Sequence, residues 1–459
     1  MENISNSGKL SITFCGGVGF ATGSNFLLQS PEKKILIDCG LFQGGSVAHE
    51  LNRAAFPYDP FSIDILLITH AHADHIGRIP KLVKEGFRGI IYSTPETKKI
   101  SEIMLDDTVK IIDGESRKEG VLPLYEKKDV TQALGLWKEI SYHTQTDIGG
   151  GFNVYLKDAG HILGSTMYEI KYGGKKIVFT GDLGNSPSPL LKDTESITDA
   201  DYLIMESVYG DRNHEPKDER RNKFKEAVLD VIKRNGTLVI PAFSLERTQV
   251  LLYELNNMVE DGEVPSIPVF LDSPLAIRLT GVYKEMKSDF NAPVQGEISA
   301  GDDIFNFPKL KMIVHSNDSG HLHQKNNPKI IIAGGGMSQG GRVVSHEQFF
   351  LPDPKNIILL AGYQAAGTLG RQLADGVKEV SINGERVSVK AEVRMVSGYS
   401  SHKDSDHLIS FVESTAPTVK TVFVVMGEPK SSIFLVQRLR DYLGVNALYP
   451  EKGKIYELS

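Results

Sequence analysis

Residues 68–77 read ITHAHADHIG, and the fold of this chain is decided by how that stretch is read. It follows the apolar run IDILL at 63–67, which has strand character. His70, His72, Asp74 and His75 therefore share one short loop just past a strand end. Alternate residues of an extended segment point the same way, so His70 and His72 can converge on one cation while Asp74 and His75 reach a second. A lone histidine is ordinarily structural; three histidines and an aspartate within one such loop are the pattern of a metal site. Two later residues extend it. His161 in DAGHILGS (158–165) and Asp182 in FTGDLG (179–184) both stand at strand ends beside glycines, where side chains can enter a cleft. An aspartate in the second position can bridge two cations about 3.5–4 Å apart.

Working outward, short β-rich runs separated by turn residues fill the first two hundred positions: KLSITFCG, NFLLQS, KKILIDCG, GIIYS, FNVYLKDAGH, MYEIKYGG, KKIVFTGD and ADYLIMES. Ile76, Ile79, Leu82 and Val83 recur at helical spacing, which predicts a helix from Ile76 to Glu85 ended by Gly86. Strands packed as sheets with helices outside give an α/β, layered αβ/βα architecture. The texture changes after Gly210. A charged helix ending at Gly236 is followed by TLVIPAF, a helix from Glu246, PVFLDS, a further helix, KIIIAG and NIILLAGY. Alternating strands and helices imply crossovers and a mainly parallel sheet. From Ser381 hairpin texture returns. The expected organisation is a first domain in two parts, 1–208 and 386–459, interrupted by an inserted α/β domain at 209–385.

The bulk composition is that of a soluble globular chain of 459 residues, with 40% hydrophobic and 24% charged residues. A formal charge of −7 argues against a surface that coats nucleic acid, although a local basic groove is compatible with it. Cys15 and Cys39 lie in apolar surroundings and read as reduced, buried thiols. No apolar run approaches the roughly 20 residues of a membrane span, and the N-terminus does not read as a secretory signal. The expectation is a cytoplasmic protein with no membrane partner.

The order HxHxDH, then a single His, then Gly-Asp, resembles the metallo-β-lactamase superfamily. That resemblance implies a four-layer fold and two zinc ions. His70, His72 and His161 would hold one, Asp74 and His75 the other, and Asp182 would bridge. Asp38 in LIDCG matches the motif whose aspartate braces such a site, though a strand-terminal Asp capping a turn is the alternative. The second half of the chain is similar to the β-CASP branch of RNA- and DNA-processing nucleases. MESVYGDR (205–212) resembles its glutamate motif, where Glu206 orients the histidine acting as acid. VSGYSSHKDSDHL (396–408) resembles the segment carrying that histidine, His402. On this resemblance Asp74, Glu206 and His402 are the catalytic groups.

IPAFSLERTQVLL (240–252), GMSQGGR (336–342) and LAGYQAAGTLGR (360–371) are similar to the segments lining the branch's phosphate groove. They make Arg247, Gly336, Met337, Arg342, Tyr363, Gln364, Thr368 and Arg371 candidates for holding phosphates of the substrate. An isolated arginine is more often a surface or salt-bridge residue. The match runs through nearly the whole chain in the correct order, and it is nearest to the compact prokaryotic members and the pre-mRNA 3′-end processing endonuclease. It implies a zinc-dependent endoribonuclease acting on single-stranded RNA, with a homodimer compatible and DNA as the alternative substrate.

Three departures stand out. Met426 in TVFVVMGEPK occupies the position of the branch's last metal-binding histidine, and thioether sulfur is a poor ligand for zinc in a nitrogen and oxygen site. Glu246 replaces a glycine, and Gly334 and Gly335 replace serines, removing two hydroxyl donors. Met426 keeps open the alternative of an RNA-binding subunit with weak or no catalysis; a small-molecule metallo-hydrolase is the third reading. His49, His143, His214, His315, His321, His323 and His346 read as ordinary, with His321 and His323 in a solvated loop.

Overall fold

Four-residue runs such as Ser11–Phe14 and Phe26–Gln29, buried along their whole length, can persist only where both faces are covered. The computed structural model, which describes residues 9–365 and 367–459, supplies those covers. The chain divides into two compact units. One comprises the residues up to Asn213 together with His402–Ser459, the other His214–Ser401.

The first unit contains two seven-stranded sheets. In one, Ile455–Glu457, Ser11–Phe14, Phe26–Gln29 and Lys34–Ile37 pair antiparallel, and Ile65–Leu67, Ile90–Ser93 and Trp137–Glu139 continue in parallel. In the other, the antiparallel series Thr146–Gly149, Phe152–Asp158, Thr166–Tyr172 and Lys175–Phe179 runs into parallel Tyr202–Met205, Thr421–Val424 and Ala447–Leu448. Period-two side chains decide which face meets which. Ile12, Phe14, Leu28, Ile35 and Leu67 pack in one core with Val154, Leu156, Ile170, Phe179 and Ile204. The opposite face of the second sheet (Val178, Leu203, Met205, Val422, Val424) packs against Leu408 and Val412 of helix Ser405–Glu413 and Leu435 and Leu439 of helix Pro429–Leu443. Helices outside two facing sheets make the four-layer αβ/βα sandwich.

The second unit is built on six parallel strands, in the order Leu310–Met312, Val269–Asp272, Lys329–Gly334, Thr237–Ala242, Ile357–Ala361 and Glu392–Val396. Its loops leave the carboxyl ends of these strands, the edge at which open α/β sheets bind ligands. The hairpin texture after 381 is a real hairpin, Glu379–Ile382 paired with Glu385–Ser388. Strand Glu392–Val396 then pairs with Ile357–Ala361, which keeps residues 386–401 with the second unit although the sequence pattern places the return at 386.

Two local expectations are corrected. The helix expected from Ile76 to Glu85 is two short helices, Ala73–Ile76 and Ile79–Lys84, divided at Gly77 and Arg78. Pro80 sits in the first turn of the second, where its missing N–H costs nothing. His323 does not lie in a solvated loop: its ring stacks on Phe349 at 4.3 Å and its Nε2 lies 3.1 Å from His346 Nδ1. Among the described residues no helix is long and apolar enough to cross a membrane.

Candidate metal centre

The first unit's core fixes the histidine loop before any ligand does. Tyr168 donates from its hydroxyl to Ile68 O and Tyr92 O at 3.1 Å each, and Thr166 N donates to Thr69 O at 2.8 Å. The second sheet thus holds the strand end from which His70 emerges. Gly40 permits a close approach on the other side, since a Cβ there would stand 1.4 Å from Asp74 O. Gly181, at φ 56°, allows the turn that delivers Asp182; a Cβ there would meet Thr69 at 2.7 Å.

Asp38 is buried at φ 58° after strand Lys34–Ile37. Its carboxylate accepts from Thr69 N (2.8 Å), Thr69 Oγ1 (2.9 Å) and Ser24 Oγ (3.0 Å), and lies 2.7 Å from His75 Nδ1. A proton on His75 Nδ1 bound to that carboxylate leaves Nε2 as the lone-pair nitrogen. Nε2 is buried without a hydrogen-bond partner, 3.4 Å from Asp182 Oδ2 and 3.9 Å from Asp74 Oδ2.

His70, His72, His161 and Asp182 offer four ligand atoms within 4.8 Å of one another. His72 Nδ1 lies 3.1 Å from His70 Nε2 and 3.2 Å from His161 Nε2, while Asp182 Oδ2 is 3.5 and 3.6 Å from those two nitrogens. Burial holds the His70 pKa well below its ordinary value and keeps the ring neutral, the form that ligates metals. Asp182 Oδ1 is also buried without a hydrogen-bond partner. Converging imidazole nitrogens, a carboxylate and two orphaned buried atoms fit a divalent cation.

A second group overlaps the first at Asp182. Glu206 follows strand Tyr202–Met205, is fully buried and accepts from Leu183 N at 2.6 Å. His402 Nδ1 lies 3.1 Å from both Glu206 oxygens and 3.9 Å from Asp182 Oδ2. Burial favours the neutral ring, but Glu206 and then Asp182 outweigh it and push the His402 pKa up to about 9. The strap carrying His402 is tied down next door, where Lys403 N donates to Leu183 O and Lys403 Nζ to Gly184 O, both at 2.8 Å.

Met426, at φ 50°, donates its N–H to Gly17 O at 2.7 Å. Its sulfur fills the space above Gly17, where a Cβ would be 2.6 Å away. The side chain belongs to the inter-sheet core and also borders a small cavity with Asp38, Thr69, His75 and Glu206.

The phosphate candidates lie in the second unit and are only partly drawn together. Gln364 Nε2 donates to Gly336 O at 3.0 Å, and Gly370 N donates to Met337 O at 3.1 Å. Tyr363 is half-buried beside them in sequence. Thr368 caps helix Leu369–Ala374 by accepting from Arg371 N. The Arg247 guanidinium is buried against Gly362, where a Cβ would stand 2.2 Å from it. Arg371 pairs with Asp375 at 2.9 Å on the surface. Arg342 turns inward: it bonds Asp272 Oδ1 at 2.6 Å, Val314 O at 2.7 Å and Ile313 O at 3.1 Å. Buried Asp272 also binds Ser319 and, at 2.7 Å, His346 Nε2. Sequence reasoning missed Asp272 and passed His346 over as ordinary; the aspartate at the end of PVFLDS was the available signal.

Comparison with known proteins gives three matched segments, whose bounds differ from those of the two compact units. A metallo-beta-lactamase superfamily model matches residues 18–242, a Beta-Casp domain model 248–373, and a model described as a Zn-dependent metallo-hydrolase RNA specificity domain 386–450. The chain is 34% identical over 420 residues to Ribonuclease TTHA0252 of Thermus thermophilus, covering 92% of this chain and 94% of that protein. It is 31% identical over 440 residues to Transcription termination factor FttA of Methanosarcina mazei, covering 92% and 68%. With FttA of Thermococcus kodakarensis it shares 30% over 463 residues, covering 96% and 70%. A crystal structure of a protein of unknown function from Enterococcus faecalis V583 shares the fold, with a TM-score of 0.58 at 14% identity over 98% of this chain and 100% of that one.

Proposed function

Starting from the fact that the chain belongs to the metallo-β-lactamase superfamily and carries its Beta-Casp domain, we propose that it is a zinc-dependent ribonuclease cutting single-stranded RNA internally. The observation that carries this reading is the His402–Glu206 pair set against Asp182, the carboxylate shared with the His70, His72 and His161 group. The name of the Thermus relative and the description of the model matching 386–450 support RNA as the substrate.

In this reading His70, His72, His161 and Asp182 would hold one zinc, and Asp74, His75 and Asp182 would hold a second. Bound zinc supplies Lewis acidity, bringing the pKa of a water to about 7 and offsetting phosphate charge. Asp38 fixes the His75 tautomer through Nδ1. Glu206, held by Leu183 N, orients His402 through Nδ1 and keeps it protonated. The opposite nitrogen, Nε2, then delivers its proton to the departing 3′ oxygen, leaving a 3′ hydroxyl and a 5′ phosphate. In the second unit Arg247, Gly336, Met337, Tyr363, Gln364, Thr368 and Arg371 line the path of non-scissile phosphates, whereas Arg342 acts as an internal staple. Buried free thiols at Cys15 and Cys39 fit a reducing cytoplasm, and a homodimer is the oligomer to look for by sizing.

The test is metal content per chain measured beside cleavage of an end-labelled single-stranded RNA, with and without chelator. Two zinc ions and chelator-sensitive internal cuts are expected. Met426, whose sulfur is turned to Gly17, favours a second reading: an RNA-binding subunit with little turnover. One ion or none, with RNA bound but uncut, selects it.

A further inference from the structure

His402 stands outside any helix or strand, and its backbone makes an isolated antiparallel bridge to Gly184. The segment on the other side of that bridge is a junction. Asp182 reaches the histidine group, Leu183 N donates to Glu206 Oε1 at 2.6 Å, and Leu183 O accepts from Lys403 N at 2.8 Å. Gly184 N donates to Ala159 O at 2.8 Å, two residues before His161. The approach is close: a Cβ on Gly184 would stand 1.9 Å from Gly160 O. The carboxylate shared by both groups, the partner of the acid and the loop carrying the acid thus hang on consecutive residues.

Lys403 spans this junction with its side chain. The residue is 5% exposed, and its Nζ donates to Gly184 O at 2.8 Å and to Ser186 Oγ at 3.0 Å. A buried ammonium is costly unless it is paired and hydrogen-bonded. An apolar side chain of the same length would fill the space without that cost, so filling space does not account for the charge. The carboxylates of Asp193, Glu206 and Asp404 act on the ammonium and favour its charged form.

We propose that Lys403 is the positioning residue of His402. Its ammonium ties the loop carrying the ring to the segment carrying Asp182, and this sets the distance from the ring to the scissile bond. The lysine acts through His402 and transfers no proton itself. The role rests on the RNA-cleaving reading, in which the P–O3′ bond breaks and His402 gives its proton to O3′.

The experiment measures kcat and KM on two single-stranded RNA oligonucleotides, one normal and one with sulfur in place of the 3′ oxygen at the mapped cut. A thiolate leaves without needing a proton, so the second RNA does not depend on the acid. Lys403→Met keeps an unbranched stem and removes the donors, while Gly184 O keeps the Thr194 hydroxyl at 3.3 Å. On normal RNA it is expected to lower kcat about 100-fold, the cost of misplacing a reacting group by about 1 Å, with KM and metal content at the parent values. On the sulfur-containing RNA it regains most of the parent rate. Lys403→Gln, which keeps an N–H donor, falls between. In a His402→Ala background Lys403→Met costs nothing further, because the group it positions is gone. A parent-like kcat, an equal loss on both RNAs, or a further loss in the His402→Ala background overturns the role while leaving the nuclease reading intact. Should Lys403→Met fail to fold by circular dichroism, Lys403→Gln and Ser186→Ala carry the same comparison. A parent chain that cuts neither RNA overturns both.

Discussion

His402 Nδ1 lies equidistant, at 3.1 Å, from the two carboxylate oxygens of Glu206. A buried carboxylate gripping one ring nitrogen leaves the other as the only nitrogen able to reach a leaving group. His402→Ala is expected to lower kcat on RNA by about 100- to 10,000-fold, the range of a lost general acid. Metal content should stay at the parent value. Cleavage by the variant at the parent rate would remove His402 from the reaction.

Asp182 is shared between the histidine group and His402, so its loss should be felt at both. His70→Ala and Asp182→Asn are expected to abolish RNA cleavage and to lower the number of metal ions per chain seen by native mass spectrometry. Circular dichroism should report an unchanged fold. Parent-like metal content in both would show that the ions bind elsewhere.

Met426 borders the same cavity as His75 and Glu206. Replacing its thioether with imidazole, Met426→His, is expected to raise zinc occupancy at limiting metal. Titration of the apoprotein followed by calorimetry reads this directly. An isotherm identical to that of the parent would mean that the new ring stays with Gly17 in the core.

Arg342 holds the fully buried Asp272 at 2.6 Å, so Arg342→Ala removes the guanidinium from a buried carboxylate and leaves it to Ser319 and His346. The expected cost is about 3 kcal/mol of stability, appearing without RNA as a lower urea midpoint of the second unit's transition. An unchanged midpoint with weakened RNA affinity would return Arg342 to the phosphate contacts.

Glu347, buried beneath Ser338, has its pKa pushed by burial from an ordinary 4.5 up to about 8, with the Ser338 hydroxyl opposing. Below pH 4.5 the carboxyl is protonated folded and unfolded alike. Between there and pH 8 the unfolded chain ionises first, so the folded state loses stability as pH rises, by an amount on the order of a few kcal/mol. Glu347→Gln removes that slope. Urea midpoints for parent and variant that run parallel from pH 5 to 8 would contradict the shift.

ITHAHADHIG, DAGHILGS and FTGDLG identify the superfamily, the sandwich and the residues that cluster at the candidate centre, because each encodes a local event: a strand ends and a ligand follows. The alternating texture after Gly210 likewise reads as a parallel sheet, since strand and helix periods are properties of neighbouring residues. Partners distant in sequence are another matter. Arg342 reads as a phosphate grip from its loop, yet strand order places it beside Asp272, seventy residues away. His323 and His346, twenty-three residues apart, meet because two helical segments pack together. Sequence spacing specifies what a segment presents and in which direction; which segments become neighbours is settled only when non-local strand pairing and core burial select one topology.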